Sequence, residues 1–213
     1  MTENEQAEAY ASADFEDAHS RLIRLFRGTF HAHPIRGNVL DLGCGPGDIA
    51  CRFAMAYPDV VVYGVDGSEA MLRQSATVME RYPGVAHRVK LEFGFLPDCS
   101  LSESAYDVVI SNSLLHHLED PQVLWGSVRR FAAPGAPVFI MDLQRPGSVD
   151  DLELLVEQYA ADEPDILRRD FTNSLRAAYR ISEVEDQLVA AGLSDFTVRD
   201  VTDRHLIVYG CAP

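Results

Sequence analysis

The sequence predicts an α/β fold in which helices cover both faces of a doubly wound, mostly parallel sheet. Short runs of β-branched and other apolar residues alternate with segments of helical length and periodicity. Such runs are typical of strands that are buried on both faces, and ligands of these sheets bind outside the carboxyl ends of the strands. The predicted strands are 38–42, 60–65, 89–93, 107–111 and 138–143, followed by a hairpin-like pair at 196–201 and 205–210.

Helical segments are predicted between these strands and on both sides of the core. An amphipathic helix over 14–30 places Leu22 and Phe26 on one face. The last helix, 181–191, is expected to begin with a capping box at Ser182–Glu185. Further helices are predicted at 48–57, 68–81 and 148–161, with a break at Pro164 and a final segment that ends near Tyr179.

The length of 213 residues predicts one domain with a real hydrophobic core. Within it, residues 1–35 are expected to form an N-terminal helical or lid segment, and residues 36–145 the cofactor-binding core. Residues 146–180 are expected to form a small helical cap, and residues 181–213 the last helix and strands.

Composition narrows the class of protein. The chain has 33 acidic and 18 basic residues and a formal charge of −15, which argues against nucleic acid as a partner. No apolar run approaches the ~18 residues of a membrane span, and the N-terminus does not resemble a signal peptide. The four cysteines lack CxxC spacing, so we expect neither a zinc ribbon nor disulfides, and a cytoplasmic location.

The strongest motif is a glycine-rich bend directly after the first predicted strand. Asp41 precedes Gly43, Cys44 and Gly45, and Asp48 follows. Glycine lets the backbone turn tightly and lets a ligand approach without a Cβ between them. A dinucleotide fingerprint would need glycine where Asp48 stands, and a phosphate loop would need lysine. The acidic bend therefore favours a cationic ligand.

A second carboxylate ends the next predicted strand about 20 residues later, where dinucleotide folds hold a ribose. Asp66 at this position is suited to accept hydrogen bonds from both ribose hydroxyls, and Gly67 follows it. Met71 lies one turn into the next helix, where its side chain can cover an adenine. The alternative is that Asp66 only caps that helix.

These motifs, together with the strand and turn at 105–112, resemble those of class I S-adenosylmethionine-dependent methyltransferases. The resemblance spans residues 36–145 and implies a Rossmann-like, seven-stranded sheet of order 3-2-1-4-5-7-6 with strand 7 antiparallel. It also implies that S-adenosylmethionine lies across strands 1, 2 and 4 and leaves as S-adenosylhomocysteine. The implied cofactor-binding residues are Asp41, Gly43, Cys44, Gly45, Asp66, Gly67, Met71, Phe95, Leu96, Asn112 and Ser113.

The charge of this cofactor agrees with the acidic bend. S-adenosylmethionine carries a sulfonium and an ammonium and no phosphate, and Asp41 is expected to bind the ammonium directly or through water. In the family's adenine-framing motif many relatives have Asp after the glycine, whereas Phe95 follows Gly94 here. Base recognition is then left to backbone groups, to stacking or to Asp98.

The acceptor side is expected at the ends of the fourth and fifth strands. His116 or His117 is a candidate general base, because imidazole accepts a proton near neutral pH. In a helical turn the two rings would diverge by about 100°, and either ring can instead cap or pack. Asp142 and Arg145 either orient an acceptor or pair with each other. No metal site is predicted, because the histidines show no ligand spacing.

Aromatic residues near both ends of the core are candidates for a lid that excludes water from the transferred methyl group. They are Tyr10, Phe15, Phe171 and Tyr179, which can equally well only pack the cap onto the sheet. We predict an enzyme that methylates a small molecule, with oxygen as the first choice of acceptor atom. Nitrogen, sulfur, and a non-catalytic cofactor-binding scaffold are the alternatives. The chain is expected to be a monomer or homodimer without nucleic-acid or membrane partners.

Overall fold

The computed structural model describes residues 16–213, so Tyr10 and Phe15 lie outside the described residues. Within this range the chain forms a seven-stranded sheet in the order β3-β2-β1-β4-β5-β7-β6. The strands are β1 Gly37–Leu42, β2 Val60–Asp66, β3 Val89–Phe93, β4 Val108–Asn112, β5 Pro137–Leu143, β6 Thr197–Asp200 and β7 His205–Cys211.

The direction of the strands follows from the connections. The five strands from β3 to β5 are parallel, and β7 runs antiparallel between β5 and β6. A helix or a long connection joins consecutive parallel strands, whereas β6 and β7 are joined by a short turn, which permits only antiparallel pairing. The predicted fold class and strand order are confirmed, with bounds that differ by no more than two residues.

Helices cover both faces of this sheet. They are α1 Glu16–Thr29, α2 Asp48–Ala56, α3 Glu69–Arg73, α4 Ser75–Met79, α5 Gln122–Phe131, α6 Val149–Ala160, α7 Asp165–Ala177 and α8 Ile181–Ala190, with short 3₁₀ turns at Ala86–Arg88 and Leu115–His117.

Two helical predictions are wrong in detail. The single helix predicted over 68–81 is two short helices, α3 and α4, divided at Gln74. The capping box predicted at Ser182–Glu185 begins two residues earlier, because the Arg180 N–H donates to the Glu183 carboxylate at 2.7 Å. The spacing between cap and acid is the predicted one, and the helix begins at Ile181 as predicted.

The two faces of the sheet have separate cores. One face packs on α5 and α8 around Trp125, whose indole N–H donates to Gln187 at 3.1 Å. The other face packs on α1 and α2, where the Phe26 ring lies 4.9 Å from Phe53 and 5.7 Å from Phe139. A third, smaller cluster joins α6 to α7. These two helices follow β5 in the chain and are called the cap. Helix α7 contacts the 3₁₀ turn that follows β4.

An ionic cluster fastens α1 to the start of α2. Asp48 accepts from His19 at 2.6 Å, from Arg52 at 2.5 Å and from the Tyr82 hydroxyl at 2.7 Å. Arg52 also binds Glu16 at 2.6 Å. Burial alone would raise the pKa of Asp48, but the hydrogen bonds from His19 and Arg52 outweigh it and hold the pKa below its usual range.

None of the described helices combines the length and the apolar character needed to cross a membrane. All four cysteines are free thiols. Burial raises the pKa of Cys44 well above its ordinary value, so this thiol stays protonated beside the glycine bend.

We expect Phe26→Ala to lower the free energy of unfolding by about 3–5 kcal/mol, because it opens a cavity between α1, α2 and the sheet. Met55→Ala is the control, since Met55 is an apolar residue of α2 with 58% of its surface exposed. It should change stability by no more than about 0.5 kcal/mol. Urea unfolding measures both, and equal losses would contradict the assigned packing of α1.

Candidate active site

Four polar residues lie at or next to the carboxyl ends of adjacent parallel strands. Asp41 is the penultimate residue of β1, Asp66 ends β2, Asn112 ends β4 and Asp142 is the penultimate residue of β5. Because these strands are neighbours in the sheet, their ends form one row. This edge of the sheet is where a doubly wound fold binds its ligands.

The glycine bend after β1 depends on backbone conformations that L side chains rarely adopt. Gly43, Gly45 and Gly47 have φ of +69°, +54° and +92°. The N–H groups of Gly43 and Cys44 both donate to the Val65 carbonyl, at 2.9 and 3.1 Å, which anchors the bend to β2. A Cβ at Gly43 would lie 2.8 Å from the side chain of Leu114, so the bend is also closely packed.

Asp41 is a buried carboxyl group with an unused oxygen. Only 1% of its surface is exposed, and its Oδ2 has no hydrogen-bond partner among residues 16–213. Burial, and then the charge of Asp66, raise the pKa of Asp41 well above its ordinary value. An unsatisfied buried carboxylate is costly, and in a cleft it indicates a site for a cationic or hydrogen-bond-donating ligand.

Asn112 gives a second unused acceptor at the same edge. Its Oδ1 is buried without a partner among residues 16–213, while its amide donates to Ser113 Oγ at 3.2 Å. Ser113 has φ of +57°, which is uncommon outside glycine and is found at ligand-binding turns. The Ser113 N–H donates to the Met141 carbonyl at 2.9 Å, so the tertiary structure holds this turn.

Asp66 connects the bend to the second strand. Its two carboxylate oxygens accept from the N–H groups of Gly45 and Ser68, at 2.8 and 2.7 Å. The α3 helix is capped by Ser68, whose hydroxyl accepts from the Met71 N–H at 3.3 Å. The alternative that Asp66 is the helix cap is therefore wrong. Each of its oxygens has a further lone pair available for a ligand.

The predicted adenine region lies beside these residues. A Cβ at Gly45 would lie 3.2 Å from the Met71 methyl group, and a Cβ at Gly67 would lie 3.1 Å from the Phe95 ring. Leu96 is partly buried against the core on the α5 side, and Asp98 is exposed. Met71 therefore lies beside Gly45, whose N–H binds Asp66, and Phe95 lies beside Gly67, which follows Asp66 in the chain.

His116 and Asp142 form a buried pair. Asp142 Oδ1 lies 2.5 Å from His116 Nδ1, and the side chains are 1% and 3% exposed. Asp142 also accepts from the N–H groups of Leu115 and Leu143, both at 2.7 Å. This carboxylate is therefore satisfied, in contrast to Asp41. The sequence did not reveal the pair, because its members are 26 residues apart and meet only when β4 and β5 pair.

His117 lies in the same 3₁₀ turn, with its ring 4.0 Å from that of His116. The expectation that the two rings diverge is wrong, since they lie against each other with planes tilted by 43°. Loss of hydration, and then repulsion from His116, lower the pKa of His117 to about 4. This imidazole is therefore neutral at pH 7.

The alternative that Asp142 and Arg145 pair with each other is wrong. Arg145 follows the end of β5, and its guanidinium donates to the Ala178 carbonyl at 2.8 Å and to Glu183 at 3.1 Å. This residue fastens the segment between α7 and α8 to the sheet. The contact of Arg145 with an acceptor stays a prediction.

The cap lies next to the histidine turn. Helix α7 contacts the 3₁₀ turn at Leu115–His117. Tyr179 forms a bridge with Gln144 after β5, and burial raises the pKa of its phenol. Phe171 belongs to α7 and is partly buried against the apolar cluster that joins α6 to α7. The structure therefore places Tyr179 beside the end of β5 and gives Phe171 a packing role, and the lid stays a prediction.

Metal binding finds no support in the described part of the chain. Among residues 16–213, no group of three or more His, Cys, Asp or Glu side chains is arranged to hold an ion. His19 binds Asp48 and His205 binds Thr202, at 2.6 and 2.9 Å.

The chain is similar to known methyltransferases. Residues 40–138 match the family model of a methyltransferase domain. The chain is 29% identical over 194 residues to the 27-O-demethylrifamycin SV methyltransferase of Amycolatopsis mediterranei, with 90% of this chain and 66% of that protein covered. It is 32% identical over 163 residues to a trans-aconitate 2-methyltransferase of Rhodopseudomonas palustris, with 70% and 54% covered. The chain thus spans about half to two thirds of the length of these relatives.

Solved structures share the fold. The plantazolicin methyltransferase BpumL, in complex with a pentazolic desmethylPZN analog and S-adenosylhomocysteine, matches with a TM-score of 0.73 and 14% identity, over 98% of this chain and 90% of that one. An O-methyltransferase family protein from Burkholderia thailandensis matches with a TM-score of 0.70 and 17% identity, over 97% and 59%. The family-model match over residues 40–138 and these relatives show that the chain is similar to methyltransferases, and the solved structures show that it shares their fold.

We expect Asp41→Asn to stabilise the protein, because it removes a buried ionisable group whose pKa is raised in the folded state and whose Oδ2 has no partner among residues 16–213. The gain should be about 1–2 kcal/mol at pH 7, seen as a rise in melting temperature of about 2–8 °C. Since the folded-state pKa of Asp41 is raised, the charge destabilises the fold above the unfolded-state pKa, and the gain should shrink as the pH is lowered to 5.

Asp142→Asn is the matched control, because Asp142 has three hydrogen-bond partners. This variant should lose stability at pH 7. A loss of stability in Asp41→Asn as well would mean that Asp41 is satisfied in the ligand-free protein.

Proposed function

We propose that this chain binds S-adenosylmethionine and transfers its methyl group to an oxygen atom of a small-molecule acceptor. The observation that carries the proposal is the buried carboxyl group of Asp41, whose Oδ2 has no partner in the described part of the chain, beside a bend of left-handed glycines. A cation that fills this position removes the cost of the buried charge, and S-adenosylmethionine has two cationic groups and no phosphate.

The residues at the edge fit the cofactor. Asp41 would hold its ammonium, and the free lone pairs of Asp66 would accept from the ribose hydroxyls. The unused Asn112 oxygen is available for a further donor. Gly43 and Gly45 leave the backbone open to close approach, because neither has a Cβ. When bound, the cofactor supplies a methyl group on a sulfonium, which is already activated for displacement.

His116 is the proposed general base. In the tautomer that carries its proton on Nδ1, toward Asp142, the Nε2 of His116 has a lone pair that can accept the proton of an acceptor hydroxyl. The Asp142 carboxylate is a positioning group, since it fixes the ring through Nδ1 and is itself held by two backbone N–H groups. The rest of the catalysis is alignment of the acceptor and exclusion of water beneath the cap.

An oxygen acceptor is supported by this base and by the relatives. A hydroxyl must lose its proton during transfer, and the buried His116–Asp142 pair provides for that loss. The relative from Amycolatopsis is named for an O-demethyl compound, and a structural neighbour for O-methyl transfer. The net charge of −15 favours small acceptors over nucleic acids.

We expect Gly45→Arg to abolish binding of S-adenosylhomocysteine, because its side chain would enter the bend beside Met71. Gly135→Arg is the control, since Gly135 also has a positive φ, of +78°, but has open space around it and lies at the other end of β5. Isothermal titration calorimetry measures both. Unchanged affinity in Gly45→Arg would place the cofactor elsewhere.

We expect His116→Ala to lower kcat by at least about 100-fold, with the affinity for S-adenosylhomocysteine unchanged. His117→Ala is the neighbouring control and should retain most of the activity. The assay follows transfer from methyl-labelled S-adenosylmethionine to a panel of hydroxylated, carboxylated, amino and thiol compounds.

The outcome of the panel separates the alternatives. Labelling of amines or thiols only, with full activity in His116→Ala, would contradict oxygen as the acceptor. Tight cofactor binding without any labelled product would favour a scaffold that no longer transfers methyl groups.

A further inference from the structure

An open groove of about 650 Å³ runs between helices α6 and α7 of the cap. All the residues that line it belong to these two helices, so it contains no residue of the proposed active site. One of them, Leu154, exposes 68% of its surface, and Val149, at the start of α6, exposes the same fraction. Large apolar side chains that are exposed beside a groove are typical of surfaces that bind another protein.

The two walls of this groove carry opposite charges. The α6 wall presents Asp150, Glu153 and Glu157, whose spacing of three and four residues places them on one face of the helix. The α7 wall presents Arg168 and Arg176, about two helical turns apart. The groove therefore has an acidic wall and a basic wall, although the chain as a whole has a formal charge of −15.

Most of these charges are not neutralised within one copy of the chain. Glu157 and Arg168 pair between the two helices at 3.2 Å, with 72% and 43% of their side chains exposed. Asp150, Glu153 and Arg176 form no ion pair with any of residues 16–213. Two acidic groups on one wall and an arginine on the other are therefore available to a partner whose charges are complementary.

We propose that a second copy of this chain binds at the groove, so that α6 of each copy lies along α7 of the other about a two-fold axis. A two-fold interface brings the same surface of both copies together, so that surface must be complementary to itself. The groove meets this requirement, because the acidic wall of each copy meets the basic wall of its partner. Leu154 of each copy then enters the partner's groove and is removed from water.

The size and charge of the surface set the expected affinity. Helices α6 and α7 have 12 and 13 residues and are about 20 Å long, so we expect an interface below the ~800 Å² per partner of a standard one. The two acidic copies also repel each other, although salt at about 0.1 M screens charges that are more than ~10 Å apart. The dimer should therefore be reversible, with a dissociation constant of about 1–100 μM.

Sedimentation equilibrium over protein concentrations of about 1–200 μM measures the association. We expect a monomer–dimer equilibrium in the natural protein, and Leu154→Asp should weaken it at least about tenfold, because the variant buries a charge in the interface. Val189→Asp is the matched control, since Val189 is also apolar, is 66% exposed and lies in α8, outside the groove. It should leave the dissociation constant unchanged. A monomer at every concentration, or equal constants in the natural protein and Leu154→Asp, would overturn the proposal.

An exchange of charges tests the two-fold arrangement. Glu153→Arg and Arg176→Glu should each weaken the dimer at least about tenfold, because each variant places like charges opposite each other. Both residues are exposed, so circular dichroism should show unchanged folding. An equimolar mixture of the two variants should associate again, since at these positions each α6 wall meets an α7 wall of opposite charge. Variants that remain fully dimeric, or a mixture that stays monomeric, would contradict the proposal.

Discussion

The proposed site depends on the buried carboxyl group of Asp41, whose Oδ2 has no hydrogen-bond partner among residues 16–213. Asp41 lies in the middle of the parallel sheet, and the chain turns away from it through glycines whose φ is positive. The backbone of this bend is held by hydrogen bonds to the Val65 carbonyl and the Asp66 carboxylate. Under the proposed function, the fold accepts a loss of stability at Asp41 in return for a site that binds a cation, a common compromise at functional positions.

The neighbouring strand end shows the opposite arrangement. Asp142 is as deeply buried as Asp41, yet three hydrogen bonds satisfy it and one of them orients His116. Two carboxyl groups at one sheet edge therefore differ in their hydrogen-bond partners, and we propose that one binds a cationic ligand and that the other supports a base. This division of roles depends on environment, since the residue type is the same.

Much of the fold was predictable because strands and the glycine bend are local features. The β-branched runs located every strand to within one residue at each end, and the glycine pattern predicted the bend after β1. Side-chain partnerships across the chain were not predictable. Asp48 was expected to add negative charge to the bend, but its carboxylate binds His19 and Arg52. The partner of Asp142 was likewise set by the pairing of β4 with β5, which spacing along the chain does not reveal.

The most direct test of the central claim is the number of protons released when S-adenosylhomocysteine binds, measured by calorimetry in buffers of different ionisation enthalpy between pH 5 and 8. Because burial raises the pKa of Asp41 in the free protein, an ammonium bound beside it should lower that pKa and release protons. The account predicts net release in the natural protein and its loss in Asp41→Asn. Binding without proton release at any pH in this range, or equal release in both proteins, would contradict it.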